Sequence, residues 1–291
     1  MHAPTGDGRT MVPISLGPHE SIFVVFHHGA AGTHVTEIER DGASVYRAGV
    51  SIGSLPEISI SRQSDGLHLI TRVAGTYRVT LSDGATSMAS MPVANTLPVT
   101  GPWTLRFPAG WGTPAETQLQ QLGSWTESGD AGIRYFSGTA TYSTVMNLTA
   151  EQVKTVASSE LYLGDVHEVA GVRINGMDAG IAWKRPYVVR AGTLLHPGEN
   201  RIEIEVTNLW PNRLIGDAQD VAGKRYTWTN VRKYTKDSPL LPSGLIGPVE
   251  VVPVYDLILS PHDAVVRTTK RRFAIDSEHY RESARHQIQV P

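Results

Sequence analysis

The sequence predicts an all-β protein, an antiparallel β-sandwich preceded by a smaller β-domain. Three observations carry this. Short runs with period-two alternation recur along the chain, as strands with one buried face require. Asp-Gly and Asn-Gly steps separate them, and both residues of such a step tolerate the positive φ of a tight hairpin. Helical periodicity is scarce, while Gly (28) and Pro (18) make up about a sixth of the 291 residues, more than average usage.

From the N-terminus, Ser21–Phe26 (SIFVVF) follows Gly17 and Pro18 and reads as a buried strand. Val35–Arg40, Ile58–Arg62, Leu67–Val73 and Thr76–Leu81 follow, divided by Asp41-Gly42, Asp65-Gly66 and Asp83-Gly84. This stretch, 27–98, is expected to form a small sandwich or meander after the end of a preceding β-domain (1–26). The composition shifts near Pro98, and five of the six Trp lie between Trp111 and Trp228. Ile133–Tyr142, Glu160–Leu163, Val169–Ile174, Tyr187–Val189, Arg201–Val206 and Ile246–Val252 read as strands. Arg201–Val206 (RIEIEV) alternates most cleanly, and Asn175-Gly176 marks a hairpin. One helix is expected over Thr149–Val156, with Thr149 as cap and Gln152 at capping-box distance. The main sandwich spans 99–254, and 255–291 reads as a polar, poorly ordered tail with a basic cluster at Lys270, Arg271 and Arg272.

Composition excludes several functions. Net charge is -2, so no global field draws the chain to nucleic acid or an anionic membrane. With no cysteine, thiolate metal sites, cysteine nucleophiles and disulfides are out. No apolar run reaches the roughly 20 residues of a spanning helix, and the opening lacks a signal-peptide pattern. A turn-rich start suits a fragment of something longer. No G-x-S-x-G elbow, P-loop or dinucleotide fingerprint is present. The histidines of HHGAAGTH (27–34) lack metal-site spacing, and Asn147-Leu148-Thr149 is a lone glycosylation sequon.

Several phrases resemble glycoside hydrolase family 106, the α-L-rhamnosidases: GPWTLRF (101–107), LGSWTESGDAGIRYFSGTATY (122–142), LYLGDVHEVAGVRINGMDAG (161–180), W-x-x-P-Y (183–187), PGENRIEIEVTNLWPNRLIGD (197–217) and SPLLPSGLIGPV (238–249). They occur in the family's order over about half of the chain, and 8–26 is similar to the end of the family's preceding β-domain. The resemblance implies a galactose-binding-like jelly roll, related to the sugar-binding domain of family 2 glycosidases. It also implies a catalytic pair of carboxylates, with calcium nearby, on a barrel N-terminal to this region. The expectation is therefore a chain with no catalytic residue, no metal and no cofactor of its own. Its partners would be a rhamnose-containing plant polysaccharide and the missing barrel, in a periplasmic or extracellular bacterial enzyme.

Glycoside hydrolysis needs two carboxyl groups about 5 Å or roughly 6.5–9.5 Å apart. Glu127 with Asp130, Asp165 with Glu168, and Asp217 with Asp220 are available, but each pair is local to one turn, where acids cap or solvate. Sugar contact is better supported. An aromatic face suits the apolar side of a pyranose, and Asn, Asp and Arg serve its hydroxyls. Asn208, Trp210, Asn212, Arg213 and Asp217 fall within ten positions after a strand. Trp183 with Arg185 and Tyr187 forms a second cluster, and Arg134 with Tyr135 a third. Structural roles stand beside these: Trp183 and Trp210 as core plugs, Arg213 and Asp217 as a buried brace, Asn208 and Asn212 satisfying loop backbone. The chain is thus read as an accessory carbohydrate-binding-type region, against a free-standing lectin-like module or a purely structural interdomain sandwich.

Overall fold

The computed structural model describes residues 3–4, 9–12, 14, 16, 21–25, 33–50, 58–93, 95–219, 225–231 and 233–259. Their regular structure is mostly antiparallel β-strand, as the sequence predicts. A short ribbon, β1 (Ala3–Pro4) with β2 (Thr10–Met11), opens the chain. The run Ser21–Val25, expected to be a buried strand, forms none and is exposed. Phe23 is 93% accessible, because no described element packs against it. Phe26 and His27–Gly32 lie outside the described residues.

The smaller sandwich is made of β3 (Val35–Arg40), β4 (Ala43–Arg47), β5 (Ile58–Gln63), β6 (Gly66–Thr71), β7 (Gly75–Leu81) and β8 (Thr86–Met91). The order β4-β3-β7-β8 forms one sheet, and β5 and β6 belong to the other. Asp41 and Gly42 take φ of 53° and 81° in the β3–β4 hairpin, as the Asp-Gly step requires. Ile38, Leu69, Tyr77 and Val79 fill the core between the sheets.

The larger sandwich follows. Its first strands are β9 (Leu97–Pro98), β10 (Trp103–Arg106) and β11 (Glu116–Leu119), followed by β12 (Thr139–Leu148). Then come β13 (Ser159–Tyr162), β14 (Asp165–His167), β15 (Val169–Ile174), β16 (Met177–Ala182), β17 (Val188–Arg190) and β18 (Gly198–Thr207). The last are β19 (Gly244–Gly247) and β20 (Glu250–Pro253). A six-stranded sheet in the order β11-β10-β12-β18-β15-β16 faces a four-stranded sheet, β17-β13-β20-β9, and β14 pairs with β19. The inward side chains of β12 and β18, among them Ala140, Tyr142, Ile202, Ile204 and Val206, are at most 1% exposed. Each fully buried residue of this kind contributes about 1.5–3 kcal/mol.

Among the described residues three α-helical segments interrupt the strands. The segment Ile133–Tyr142 is not one strand: Asp130 accepts from Ile133 N at 3.1 Å and caps a helical turn, α1 (Ala131–Arg134), so β12 begins only at Thr139. Helix α2 (Ala150–Thr155) carries the predicted capping box between Thr149 and Gln152. Helix α3 (Pro211–Asp217) occupies what the sequence read as a loop. Pro211 opens it at the first helical position, where its missing N–H costs nothing.

The last strand, β21 (Tyr255–Leu259), returns to the smaller sandwich and pairs with β6 from Tyr255↔Thr71 to Leu259↔Leu67. The expected polar tail therefore does not begin at 255, because Leu257 and Leu259 are needed in the smaller core; residues 260–291 lie outside the described set. Buried His68 ties this strand down, its Nδ1 2.6 Å from Asp256 and its Nε2 2.8 Å from Asp65. The larger sandwich is thus inserted between β8 and β21. Its entry and exit lie side by side, with Leu97 opposite Val251.

An aromatic cluster locks the larger core. Trp125 Nε1 donates to Tyr142 Oη at 2.5 Å, and Leu245 N donates to the same oxygen at 3.0 Å. Burial pushes the Tyr142 phenol well above its ordinary range, so it remains a neutral partner. Tyr142→Phe leaves two buried donors unmatched, each at about 1–3 kcal/mol. Urea unfolding is expected to show a loss of about 2–4 kcal/mol; a loss below about 0.5 kcal/mol would contradict this role.

Candidate functional site at the loop end of the larger sandwich

Three neighbouring strands reach one edge of the six-stranded sheet together. Trp183 follows the end of β16, Glu168 precedes β15, and Asn208 follows β18. The register Ala182↔Ala170 and Val169↔Thr207 fixes their order. Helix α3 and the 241–243 segment lie over this edge.

Most of the sequence-derived candidates face inward. Asn208 donates to Phe136 O and accepts from Gly138 N, each at 2.9 Å, and so clamps the chain entering β12. Asn212 donates to Leu241 O at 2.7 Å and to Ser243 Oγ at 3.3 Å, and accepts from Leu241 N at 2.8 Å. Arg213 and Asp217 form a buried ion pair at 3.0 Å one helical turn apart. The Arg213 guanidinium also lies 4.8 Å from the Tyr226 ring centroid. Asp217 accepts from Thr227 N at 2.8 Å and Thr227 Oγ1 at 2.6 Å. Arg134 spends its Nε and Nη2 on Ser128 O. Tyr135 packs so closely on α3 that a Cβ at Gly216 would come within 2.5 Å of it. These polar side chains are braces, consistent with the cost of burying them unpaired.

The two tryptophans do the opposite. Trp183 is 67% and Trp210 58% exposed, with Leu209 and Leu241 beside them also open. They are not core plugs. At the same strand ends is a pocket lined by Glu168, Asn208, Leu209, Asn212, Leu241 and Ser243, of ≈ 10 Å³, which is room for about one water.

A polar cluster adjoins this edge. Arg185 pairs with Asp165, His167 Nε2 lies 3.2 Å from Asp165 Oδ2, and His167 Nδ1 lies 3.7 Å from Glu168 Oε1. Burial, and then the charge of Glu168, push the Tyr187 phenol upward against the opposing Arg185. His167, Leu209 and Leu241 were not among the sequence candidates. The first was visible in Asp165-Val166-His167-Glu168, whose alternation puts Asp165 and His167 on one face. The leucines carried no signal, since their exposure follows from the position of α3.

Asp130 caps α1, Asp165 and Glu168 flank one histidine, Asp217 is consumed by its brace, and Asp220 lies outside the described residues. Among the described residues no group of three or more His, Asp or Glu is placed to hold a metal ion, and no helix is long and apolar enough to cross a membrane.

No family model matches the chain. It is 34% identical over 190 residues to a protein of Formosa agariphila named "Putative beta-glucuronidase", covering 57% of this chain and 16% of that protein. Among solved structures, a rhamnosidase from Novosphingobium sp. PP1Y superposes with a TM-score of 0.52 at 27% identity, covering 78% of this chain and 25% of that one. A β-glucuronidase from Ruminococcus gnavus gives 0.41 at 21% identity, over 56% of this chain and 30% of that one. These relatives are glycosidases by name. The chain spans about a sixth and a quarter of the length of the first two.

The division between braces and exposed aromatics is testable by chemical denaturation. Asp217→Ala strands the buried Arg213 charge and is expected to cost about 3–5 kcal/mol. Trp210→Ala is expected to stay within about 0.5 kcal/mol of the parent, as exposed substitutions do. The reverse order would mean that Trp210 is the structural residue.

Proposed function

We propose that this chain is an accessory, carbohydrate-binding-type region of an α-L-rhamnosidase-like glycoside hydrolase, with the reacting acids on other polypeptide. The observation that carries the reading is the pair of open indoles, Trp183 and Trp210, at strand ends where Asn208 and Asn212 are already spent on backbone carbonyls. An exposed indole on a braced turn offers a flat apolar face at little entropic cost. Glu168 and the Asp165–His167–Arg185 cluster supply acceptors and donors beside it for hydroxyl groups. The likeness to a rhamnosidase over most of the chain supports a glycosidase parent, and the similarity to a protein named as a β-glucuronidase supports the broader class.

The pocket at this edge has water-sized room and one carboxylate, which argues for one wall of a cleft over a self-sufficient lectin site. Leu209, Trp210 and Leu241 form an apolar patch of the kind that marks a protein or ligand contact. In this reading the edge meets the catalytic body of the enzyme, and the two indoles line the sugar path between them.

Calorimetry with rhamno-oligosaccharides tests this. The intact chain is expected to bind weakly, and Trp183→Ala/Trp210→Ala together are expected to weaken binding at least tenfold without loss of fold. A chromogenic rhamnoside is expected to remain uncleaved. Heat unchanged in the double variant would remove the sugar path from this edge. Turnover would put reacting acids on this chain.

A further inference from the structure

The outer face of the six-stranded sheet is a second place with unspent chemistry. A groove of ≈ 200 Å³ runs over β12, β18, β15 and β16, lined by Thr141, Gly171, Arg173, Asp178, Glu203 and Glu205, with Ile181 on its rim. Register places Gly171 opposite Glu205 and Ile181, and Arg173 opposite Glu203. Gly171 is the unexplained residue. It has no positive φ, a Cβ there would meet nothing within 4 Å, and the bulge of this strand falls later, between Val172 and Arg173. A glycine inside a strand weakens it, and commonly marks a place where something else comes close. Here the sheet has no use for that space.

The groups around the gap are available. Glu203 is held by Arg201 at 2.9 Å, but neither Arg173 nor Glu205 has an ion-pair or side-chain hydrogen-bond partner among the described residues. A guanidinium donor and a carboxylate acceptor thus flank an open floor, with the hydroxyl of Thr141 beside them. That mixture matches vicinal hydroxyls, which donate and accept together. Ile181, 67% exposed, supplies an apolar rim. The surrounding face is mixed, with Gln118 Nε2 donating to Thr104 Oγ1 at 2.9 Å and Val145 and Val169 partly open, less apolar than the centre of a protein interface. Three carboxylates against one guanidinium in the lining disfavour an anionic ligand. The volume falls below the roughly 300–1,000 Å³ of a drug-sized pocket and suits one ring of a chain continuing into solvent.

We infer that this groove is a second saccharide subsite, separate from the loop end, which takes one residue of a neutral oligosaccharide over Gly171. The identity of the ligand class rests on the glycosidase reading above; the location does not.

The test is calorimetry with xylotetraose, cellotetraose and mannotetraose, and with tetragalacturonate as the charged counterpart. At least one neutral tetrasaccharide is expected to bind the intact chain and Trp210→Ala equally. Binding is expected to fall at least tenfold in Gly171→Phe, whose ring fills the groove from an open position, and several-fold in Arg173→Ala. Tetragalacturonate is expected to bind at least tenfold more weakly, with the gap narrowing in Glu203→Gln/Glu205→Gln. Circular dichroism checks that each variant is folded. Unchanged binding in both Gly171→Phe and Arg173→Ala would overturn the groove, whatever the Trp183 and Trp210 variants do. A dimer in solution broken by Gly171→Phe, with no saccharide effect, would reassign the face to protein contact. No binding of any sugar here or at the loop end would remove both readings.

Discussion

The ten-residue antiparallel ladder between β12 and β18, from Thr139↔Thr207 to Leu148↔Gly198, is the constraint on which the rest of the larger sandwich depends. One side of it packs Ala140, Tyr142, Ile202, Ile204 and Val206 into the core. The other side presents Thr141, Glu203 and Glu205 to the groove. Its open end passes directly into Asn208 and α3. Because side chains alternate strictly, a slip of one residue would drive glutamates into the core and empty both surfaces of their chemistry. Burial on one face therefore sets what the other face offers.

The two ends of the ladder are secured by asparagines. At one end Asn200, fully buried, accepts from His196 N and Asn175 Nδ2 at 2.9 Å and donates to His196 O at 2.7 Å. At the other, Asn208 holds Phe136 and Gly138, and Asn212 holds the 241–243 segment. Satisfied buried amides rigidify whatever they bridge, and a rigid edge lets Trp183 and Trp210 stand open without collapsing onto the sheet. The insertion of this sandwich between β8 and β21, with its two connections adjacent and Arg72 paired to Glu160 across the junction, ties it twice to the smaller sandwich.

Strand content was readable wherever alternation and turn chemistry agreed. The Asp41-Gly42 and Asn175-Gly176 hairpins, the RIEIEV strand and the Thr149–Gln152 capping box are all local codes, needing a few neighbouring residues. Reading failed where tertiary partners decide. Ser21–Val25 has strand composition but no sheet to join. Ile133–Tyr142 alternates, yet Asp130 turns its first part into a helix. The polar composition after Tyr255 hid a strand whose leucines complete a core begun more than two hundred residues earlier. The site was legible as a region and not as roles: TNLWPNRLIGD does lie at the loop end, but composition cannot tell a buried Asn that braces a turn from an exposed one that meets a sugar. Gly171 gave no sign, since a glycine matters there only once its open surroundings are known.

Taken together, the polar groups that look like a binding set in sequence are mostly the internal scaffold, and the surfaces we propose for ligand are the Trp183 and Trp210 indoles at the strand ends and the groove over Gly171. Indole N–H resonances followed during titration with a rhamno-oligosaccharide test this division most directly. The account predicts shifts at Trp183 and Trp210, with Trp125, whose N–H is committed to Tyr142, unmoved. Shifts confined to buried indoles, or to none, would contradict it.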